Sequence, residues 1–515
     1  KIIAVEEGQG IEAYIGENTR VLDFEGQFVM AGLSDAHMHF FEGSMTASQY
    51  MYDELDRSVS EEDCIRLVVE YDRQNPGLER ILATGWLLVN WEKGELPSRK
   101  LLDEAFPEKP VYLLCADGHT FWLNGAALRE CGITAETEVG FGEICKDEQG
   151  ELTGILIEME ACGLAWNRIY EPEEAVMREI QTDFTKKAAR YGITSMCDMS
   201  SKTMPEEDYK LYRVACELSE EKKLLTRLHL YPSLGTGDDF SRQLALREKY
   251  HSGKVQVSGL KQFVDGVTTT YTAWMLEPYA DRPETCGEPN YPQEVYRNSI
   301  LAANKAGFAV RLHTLGDASI RMALDIFEES NTLYGNSGIQ NCLEHCESIS
   351  EDDIERFGRL NVIPSAQPYH LIADAEEKLE RVGLKRSQLE WPFKTLLKNG
   401  ATLAFGTDYP VVSLNPFLEI YAAVTRCDES GNPIGVNPQE RLSVAEALRG
   451  YTYGAACSHN RGHELGTLES GKLADIIVVD RNLMTVQARE LLDAKVVFTM
   501  MDGQIVYAEP EYALL

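Results

Sequence analysis

The sequence predicts an α/β fold, namely a (β/α)8 TIM-like barrel with a small composite β-sandwich domain from both termini and an insertion subdomain after the first barrel strand. Three observations predict it. Short apolar runs alternate with helical patterns through the middle of the chain, and both ends are rich in strand-like segments with glycine turns. A long segment then separates the first barrel strand from the second, which indicates an insertion.

Barrel strands are predicted where short apolar or β-branched runs end in polar residues. Eight such segments occur, at Phe28–His39, Ile193–Ser200, Leu225–Ser233, Val257–Gly266, Phe308–Asp317, Cys342–Ser348, Asn361–Pro368 and Ala401–Tyr409. Helical patterns separate most of them, most clearly at Pro292–Gly307 and Asp317–Glu329. Alternating units of this number favour a parallel barrel, whose chemistry lies at the C-terminal ends of its strands.

The predicted domain boundaries follow from these segments. Residues 1–30 and 460–515 form the composite β-domain, residues 31–459 form the barrel, and residues 60–190 form the insertion. An insertion at the catalytic face is expected to form a lid or a wall for the substrate.

Shorter strand-like runs lie in the two parts of the chain outside the regular alternation. Near the N-terminus, Lys1–Val5 and Ala13–Gly16 are predicted strands of the β-domain. Within the insertion, the strand-like runs are Arg80–Trp86, Val111–Cys115 and Gly150–Leu156.

Composition excludes several classes of protein. The formal net charge of −34 repels phosphate backbones and anionic lipids, so neither nucleic acid nor a membrane surface is an expected partner. No apolar run is long enough for a membrane span, and these residues contain no signal-peptide pattern. The twelve scattered cysteines, without a CxxC, indicate reduced thiols in a cytoplasmic protein. We expect a small-molecule substrate and leave open whether the chain forms a homo-oligomer.

A pair of histidines ends the first predicted strand. His37 and His39 are two residues apart, so in a strand their imidazoles point to the same side. Imidazole suits zinc and similar divalent ions, but one such pair is as consistent with a polar turn. Further polar residues at or near the ends of later strands favour a metal site; they are Lys261, His313, His345 and Asp408.

The fourth predicted barrel strand, Val257–Gly266, contains Lys261 at the position where a site for two metal ions would need a bridging anion. Two divalent ions about 3.5–4 Å apart require histidines and bridging anionic oxygens. His37 and His39 could hold one ion with Asp408, and two later histidines the second. An ammonium cannot ligate a cation, whereas Lys261 after reaction with CO2 becomes a carbamate of suitable charge. The alternative is that Lys261 simply pairs with Asp265.

Longer stretches carry a resemblance to a known family. They read GLSDAHMHF, LPSRKLLDEAFPEKPVYLLCADGHTFWLN, GLKQFVDG, HTLGD, LEHC, SAQPYH and FGTDYPV. Together these motifs resemble the amidohydrolase superfamily, and in particular its YtcJ-like branch, the amidohydrolase-3 group. The resemblance covers essentially the whole chain.

The resemblance implies metal-dependent hydrolysis of an amide or related C–N bond other than a peptide bond. It implies zinc, or another divalent ion, at one or two ions per subunit, with a carbamate on Lys261. Asp408 would take a proton from the metal-bound water, which thereby becomes the attacking hydroxide, and would later pass that proton to the leaving amine. The residues that resemble the family's metal ligands are His37, His39, Lys261, His313, His345 and Asp408.

Four other residues are candidates for contacts with the substrate. His119 and His370 lie in motifs outside the metal set, and Trp86 and Trp122 could wall an apolar pocket. For each of them, capping or core packing is the alternative reading. His229 lies inside a predicted strand and is expected to fill the barrel.

Three other functions remain open at this point. Deaminating members of the superfamily tend to use one metal and a glutamate three residues after the fifth-strand histidine, where this chain has Gly316. An ester hydrolase would use the same site. A non-catalytic binding protein on this fold would be expected to lose ligands, whereas this chain retains all six positions. The sequence does not identify the substrate.

Overall fold

The computed structural model describes residues 1–91, 94–116, 118–140, 142–169, 172–199, 209–335 and 338–512. The chain divides into two compact units. The first contains Lys1–Phe40 and Thr185–Leu515, and the second contains Phe41–Phe184. The candidate metal ligands predicted from the sequence all belong to the first unit.

The strands are short and mostly buried. They are β1 (Phe28–Ala31), β2 (Leu33–Met38), β3 (Ile81–Trp86), β4 (Val111–Cys115), β5 (Thr120–Leu123), β6 (Glu143–Lys146), β7 (Leu152–Ile157), β8 (Ile193–Asp198), β9 (Arg227–Leu230), β10 (Val255–Val257), β11 (Gly259–Phe263), β12 (Ala309–Thr314), β13 (Cys342–His345), β14 (Ile363–Ala366), β15 (Ala404–Phe405), β16 (Ile476–Val479), β17 (Val496–Met501) and β18 (Gln504–Ala508).

Helices separate most of these strands. They are α1 (Phe40–Thr46), α2 (Glu61–Gln74), α3 (Arg99–Ala105), α4 (Gly125–Glu130), α5 (Met159–Ile169), α6 (Glu174–Arg190), α7 (Lys210–Glu220), α8 (Ser241–Lys249), α9 (Gln293–Lys305), α10 (Asp317–Tyr334), α11 (Glu351–Leu360), α12 (His370–Arg386), α13 (Phe393–Lys398), α14 (Pro416–Thr425), α15 (Val444–Arg449) and α16 (Ala455–Ser458). The two helices predicted most clearly are confirmed as α9 and α10.

Parallel strands dominate the first unit. One sheet has the order β10-β9-β8-β2 and another the order β11-β12-β13-β14-β15, and every pairing within them is parallel. A parallel bridge between Ser233 and Lys261 links the two sheets. Backbone hydrogen bonds from Asp408 N to His37 O (2.7 Å) and from His39 N to Tyr409 O (2.9 Å) link the segment that follows β15 to the end of β2. The polar residues after these strands therefore lie close together.

The first predicted strand is wrong in one respect, because it divides at Gly32 into β1 and β2. A Cβ atom at Gly32 would lie 2.6 Å from the side chain of Thr194, so only glycine permits this close approach. β1 joins the terminal sheet, whereas β2 pairs with β8. The other predicted barrel strands each contain a strand, although Ser200, at the end of the second, lies outside the described residues.

A separate antiparallel sheet contains strands from both ends of the chain, in the order β1-β16-β17-β18. Within the described residues it is one layer, so the predicted sandwich is not observed. The end of α6 and the turn to β8 lie against this sheet. Thr499 donates a hydrogen bond to the carbonyl oxygen of Ala189 in α6 (2.8 Å), and a Cβ at Gly192 would contact Ile477. One face of the terminal sheet therefore packs against the parallel part of the first unit, in place of the second sheet that a sandwich would have.

The predicted strands nearest the N-terminus are also wrong. Residues Gly8–Tyr14 form a 3-10 helix that includes the start of the predicted strand Ala13–Gly16. Tyr14 and Ile15 are exposed, so no neighbouring strand buries their side chains. In Lys1–Val5, backbone bonds between Ile2 and residues 471 and 472 are present, but no strand forms.

The second unit has its own mixed sheet, in the order β3-β4-β5-β7-β6. The β3–β4 pair is parallel and the remaining pairs are antiparallel. The three strand-like runs predicted in the insertion are observed as β3, β4 and β7. Among the described helices of the whole chain, none is long and apolar enough to cross a bilayer.

Candidate metal centre

Four imidazoles surround the carboxylate of Asp408. Its Oδ1 lies 3.3 Å from Nε2 of His37 and 3.0 Å from Nε2 of His39. Its Oδ2 lies 3.9 Å from Nδ1 of His345 and 3.8 Å from Nε2 of His370. In the part of the chain that the structure describes, these residues form two groups of possible metal donors, each within 4.8 Å, that share Asp408.

The backbone brings Asp408 to this position by a close approach to β2. Gly406 lies against His37, and a Cβ there would be 2.3 Å from the His37 backbone nitrogen. The Asp35 carboxylate stabilises this contact by accepting three hydrogen bonds. Two come from the hydroxyl (2.7 Å) and backbone N–H (3.1 Å) of Thr407, and one comes from the backbone N–H of His37 (3.2 Å). A larger residue at position 406 would separate His37 from Asp408.

Two of the candidate ligands have left-handed backbone conformations. The φ angle is 70° at His345 and 58° at Asp408. Such a conformation costs a non-glycine residue on the order of 1–3 kcal/mol and persists only where the surroundings enforce it. Strain of this kind is concentrated at functional sites. Here it is found at His345 and Asp408, two of the predicted metal ligands.

A buried ion pair orients the imidazole of His37. Nδ1 of His37 lies 2.6 Å from Oε2 of Glu344, whose Oε1 accepts a 2.5 Å hydrogen bond from Nε of Arg311. Burial raises the pKa of the Glu344 carboxyl, but the charges of Arg311 and His37 outweigh it and hold the pKa well below its usual range. The ionised carboxylate fixes Nδ1 of His37 as the hydrogen-bonded nitrogen, so Nε2 faces Asp408. Histidine ligands of metals typically have such a partner.

His313 has a similar partner in Asp265, whose Oδ1 lies 3.3 Å from Nδ1 of His313. Asp265 also accepts hydrogen bonds from the backbone nitrogens of Leu315 (3.1 Å) and Gly316 (2.9 Å) and from the Ser319 hydroxyl (2.8 Å). The ring of His313 lies 4.5 Å from that of His345, between centroids, although His313 belongs to neither donor group.

Lys261 is buried with 1% of its surface exposed, and its Nζ has no hydrogen-bond partner among the described residues. The alternative that Lys261 pairs with Asp265 is therefore wrong, because other donors occupy that carboxylate. Burial lowers the pKa of the Lys261 ammonium to about 8, outweighing the opposite effects of Glu344 and Asp408. Burying an ammonium that has no hydrogen-bond partner is costly, so the equilibrium shifts toward the neutral amine, although the ammonium is still the more populated form at neutral pH.

The charge states around Asp408 suit metal binding. Burial raises the pKa of Asp408, but His37 and His39 reverse the effect and lower it well below its usual range. Burial, together with His313 and His37, lowers the pKa of His345. An ionised carboxylate and a neutral imidazole are the forms that ligate a metal.

The residues predicted to contact substrate lie in different environments. His370 lies beside Asp408 in the first unit. In the second unit, Nδ1 of His119 lies 2.9 Å from Oε2 of Glu158, and Asp117 of the same motif lies outside the described residues. Trp86 and Trp122 are buried in the core of that unit, with ring centroids 6.1 Å apart. Core packing accounts for both tryptophans, and their contact with substrate remains a prediction.

Sequence reasoning missed several residues that support the site. Arg311 and Glu344 are charged residues inside otherwise apolar strands, next to or two positions before a histidine, and this was the signal that could have found them. Burying a charge without a partner is unfavourable, so such residues indicate an internal ion pair. Glu347 gave no comparable signal, because its partner Lys378 lies on α12.

Comparison with known proteins agrees with this geometry. The model of the amidohydrolase family matches residues 20–507. The chain belongs to the amidohydrolase family. Amidohydrolases of this superfamily have a TIM-barrel-like α/β fold, and the parallel strands of the first unit are consistent with it.

Three relatives match nearly the whole chain. Protein LONG AFTER FAR-RED 3 of Arabidopsis thaliana is 32% identical over 98% of this chain and 87% of its own length. Putative amidohydrolase YtcJ of Bacillus subtilis is 27% identical over 96% and 92%, and N-substituted formamide deformylase of Arthrobacter pascens is 26% identical over 95% and 90%. Among solved structures, an uncharacterised metal-dependent hydrolase from Pyrococcus horikoshii has a TM-score of 0.75 at 27% identity, covering 93% of this chain and 90% of its own.

Proposed function

We propose that this amidohydrolase is a metal-dependent hydrolase that cleaves an amide or related C–N bond, other than a peptide bond, in a small molecule. The observation that carries the proposal is the convergence of His37, His39 and His345 on the two oxygens of Asp408. Three imidazoles and a carboxylate, almost fully buried, are the donors that zinc and similar divalent ions prefer.

The donor set fits one or two divalent ions per subunit. When bound, such an ion would lower the pKa of a coordinated water and polarise the scissile carbonyl. Burial of the donors keeps competing water away, and the lone Nζ of Lys261 supplies a further site for an anionic group. The residues that would hold the ions are His37, His39, Lys261, His313, His345 and Asp408.

Asp408 is the proposed proton carrier. Its carboxylate is ionised at neutral pH and lies 3.0–3.3 Å from the imidazoles of His37 and His39, so it is placed beside the proposed metal to accept a proton from the attacking water. In the second half of the reaction it passes that proton to the leaving nitrogen. Glu344 holds His37, and through it the orientation of the Asp408 carboxylate, during both transfers.

Lys261 is proposed to carry a carbamate. Its neutral amine attacks the carbon of CO2: the new N–C bond forms as one C=O π bond opens to an anionic oxygen, and the nitrogen loses one proton to water, which leaves a carbamate anion. The lowered pKa makes the neutral amine available near neutral pH, and burial protects the product from the solvent. The carbamate would supply the anionic oxygens that two neighbouring cations require.

Deamination is less well supported than hydrolysis of an amide. At Gly316, the position of the glutamate of deaminating relatives, an added Cβ would lie 2.0 Å from the carbonyl oxygen of Trp274. The backbone N–H of Gly316 also donates to Asp265, which contacts His313. The local backbone therefore has no room for a side chain in this role. Ester hydrolysis remains the second candidate, because it would use the same residues.

The substrate is proposed to be a small amide that contacts residues beyond the metal centre. The named activity of the Arthrobacter pascens relative makes N-substituted formamides the first compounds to test. We propose His119, His370, Trp86 and Trp122 as contacts of the substrate or its pocket. We further propose that the barrel has the complete (β/α)8 arrangement and that the protein acts in the cytoplasm, without nucleic acid or membrane partners.

A substrate screen tests the proposed function directly. Zinc-loaded protein is incubated with N-substituted formamides, N-acyl amino acids, carboxylic esters and aminopurines, and release of formate, acid, alcohol or ammonia is measured. Asp408→Asn serves as the catalytic control. Amide cleavage by the wild type and not by the control supports the proposal. Ester cleavage or ammonia release alone would replace it with the corresponding alternative, and a metal-bound protein inactive on all four classes would favour a binding role.

A further inference from the structure

His370 lies at the start of α12, directly after the strand β14 that follows the His345 segment. Its Nε2 is 3.8 Å from Oδ2 of Asp408, and Nδ1 of His345 is 3.9 Å from the same oxygen. The two rings are nearly parallel, at 14°, with centroids 6.1 Å apart. Both imidazoles therefore approach Oδ2 of Asp408, on the side opposite to His37 and His39.

These separations are compatible with ligands that share an ion. A hydrogen bond between nitrogen and oxygen spans about 2.7–3.2 Å, so 3.8 and 3.9 Å are too long for direct bonds. Two ligands bound at about 2.1 Å in a tetrahedral site lie about 3.4 Å apart. The observed distances exceed this value by a few tenths of an ångström, which a small side-chain rotation would remove.

A buried network lies behind His370. Oε1 of Glu347 is 3.9 Å from Nδ1 of His370, which is an electrostatic contact and not a direct hydrogen bond, and its Oε2 forms an ion pair with Lys378. Lys378 Nζ also donates to Oε2 of Glu390 at 2.8 Å, and the Ser348 hydroxyl donates to Oε1 of Glu390 at 2.5 Å. The charged side chains of Glu347, Lys378 and Glu390 are at most 2% exposed. Such a network defines the position of the Glu347 carboxylate.

The chain connects this network to the site at two points. Glu347 follows His345 by two residues, so a single loop carries one proposed ligand and the carboxylate beside another. Lys378 lies on α12, the helix that begins with His370. Burying these ions is costly, and an ion pair of this kind contributes little net stability compared with apolar packing. These buried charges are therefore better explained by a role in orienting His370 than by a contribution to stability.

We infer that His370 is a ligand of the metal ion on the His345 side of Asp408, and that Glu347, held by Lys378, positions its imidazole. The inference rests on the proposed function, because it assumes that a divalent ion binds at Asp408. It adds one imidazole to the six motif residues and gives His370 a role in addition to the proposed contact with substrate. Metal-binding histidines commonly have a carboxylate behind them, and replacing that carboxylate typically weakens metal binding by about 10–100-fold.

Metal binding by His370→Ala tests the first part. Wild type, His370→Ala, His345→Ala and the control His459→Ala are loaded with zinc, dialysed and analysed by elemental mass spectrometry and by chelator competition. His459 is also buried but stacks on His229, with centroids 4.0 Å apart, outside the donor groups. We expect His370→Ala and His345→Ala to lose one equivalent of zinc or at least 100-fold in affinity, and His459→Ala to match the wild type.

The two ways of failing are distinguishable. If the wild type binds no divalent ion, the proposed function fails together with the inference. If His345→Ala loses zinc while His370→Ala binds as the wild type does, only the inference is overturned. Diffraction from zinc-loaded wild-type crystals, recorded at the zinc absorption edge, settles the matter even if a variant does not fold. A zinc peak about 2.1 Å from Nε2 of His370 supports ligation, and zinc sites that all lie beyond contact with it refute ligation.

Glu347→Gln tests the positioning role, with Glu440→Gln as a matched control. Glu440 is a buried glutamate that accepts hydrogen bonds from the backbone and hydroxyl of Thr395, at 2.8 and 2.7 Å. We expect Glu347→Gln to weaken zinc binding 10–100-fold and to alter the visible spectrum of the cobalt-substituted protein. Equal zinc affinities and identical cobalt spectra in the two variants would show that Glu347 is only structural.

Discussion

Nδ1 of His37 lies 2.6 Å from a carboxylate oxygen of Glu344, and Arg311 holds the other oxygen of the same carboxylate. All three side chains are buried. This relationship ties the orientation of a proposed metal ligand to an ion pair in the interior of the strands. Stability and metal affinity should therefore both depend on Glu344.

Replacing Glu344 with glutamine should weaken zinc binding about 10–100-fold, since His37 loses its charged partner. It should also lower the free energy of unfolding by about 3–5 kcal/mol, because Arg311 is left as an uncompensated buried charge. Chelator competition and urea unfolding measure the two effects. Asp353→Asn is the control: Asp353 is buried and pairs with Arg321 and Arg356 away from the site. The role of Glu344 is contradicted if both variants have the zinc affinity of the wild type.

Purified protein should contain one to two equivalents of zinc or a similar divalent ion. His37→Ala and His313→Ala should each lose metal, because each removes a proposed ligand. Elemental analysis provides the measurement, and His251→Ala, at an exposed position, should leave the content unchanged. Protein that contains no metal and gains no activity with any added ion would exclude the catalytic proposal.

Asp408→Asn should retain the fold but lower turnover by about 10²–10⁴-fold, since the amide cannot accept the proton. Steady-state kinetics on the substrate found in the screen measures kcat, and circular dichroism checks the fold. Near-normal turnover in this variant would rule out Asp408 as the proton carrier.

Lys261→Ala should lose at least one metal ion and most activity, because the bridging anion is absent. Acetate or propionate should restore part of the activity by supplying a carboxylate, whereas small amines should not. With a pKa of about 8, about a quarter of the Lys261 side chains are neutral at pH 7.5. Reconstitution of the metal-free protein should therefore depend on bicarbonate and become faster as the pH rises through 8. An unmodified ammonium in a high-resolution map of active, metal-loaded protein would refute the carbamate.

Glu446 gives a pH-dependent contribution to stability that is separate from the site. A hydrogen bond from Lys394 and the capping box with Ser443 lower the pKa of Glu446 from 4.5 to about 2. Because the folded-state pKa is depressed, the contribution is complete above pH 4.5 and is lost as the pH falls toward 2. The side chain is 31% exposed, so we expect only about 1 kcal/mol at neutral pH.

Thermal unfolding of Glu446→Gln and the wild type at pH 7, 5 and 3.5 measures this contribution. The difference in Tm should be the same at pH 7 and pH 5 and smaller at pH 3.5. A difference that stays constant over the whole range would mean that ionisation of Glu446 is not involved.

The positions of most barrel strands could be predicted because the signal for a buried parallel strand is local. In β9, for example, apolar residues recur at every second position: two leucines alternate with Arg227 and His229, and all four residues are buried. The error at Gly32 has a different origin. The strand divides where its two halves pair with different partners, β16 and β8, and both partners are distant in the sequence.

The sequence by itself determined which residues end the strands, since a histidine or aspartate after an apolar run is visible without any partner. It thereby placed His37, His39 and His345 at one edge of the parallel strands. Only the tertiary structure decided which of these residues meet at Asp408, and that His370 joins them. It also decided that Glu344 rather than solvent contacts His37. These contacts depend on pairing between strands and on the path of α12, which are non-local and leave no periodicity in the chain.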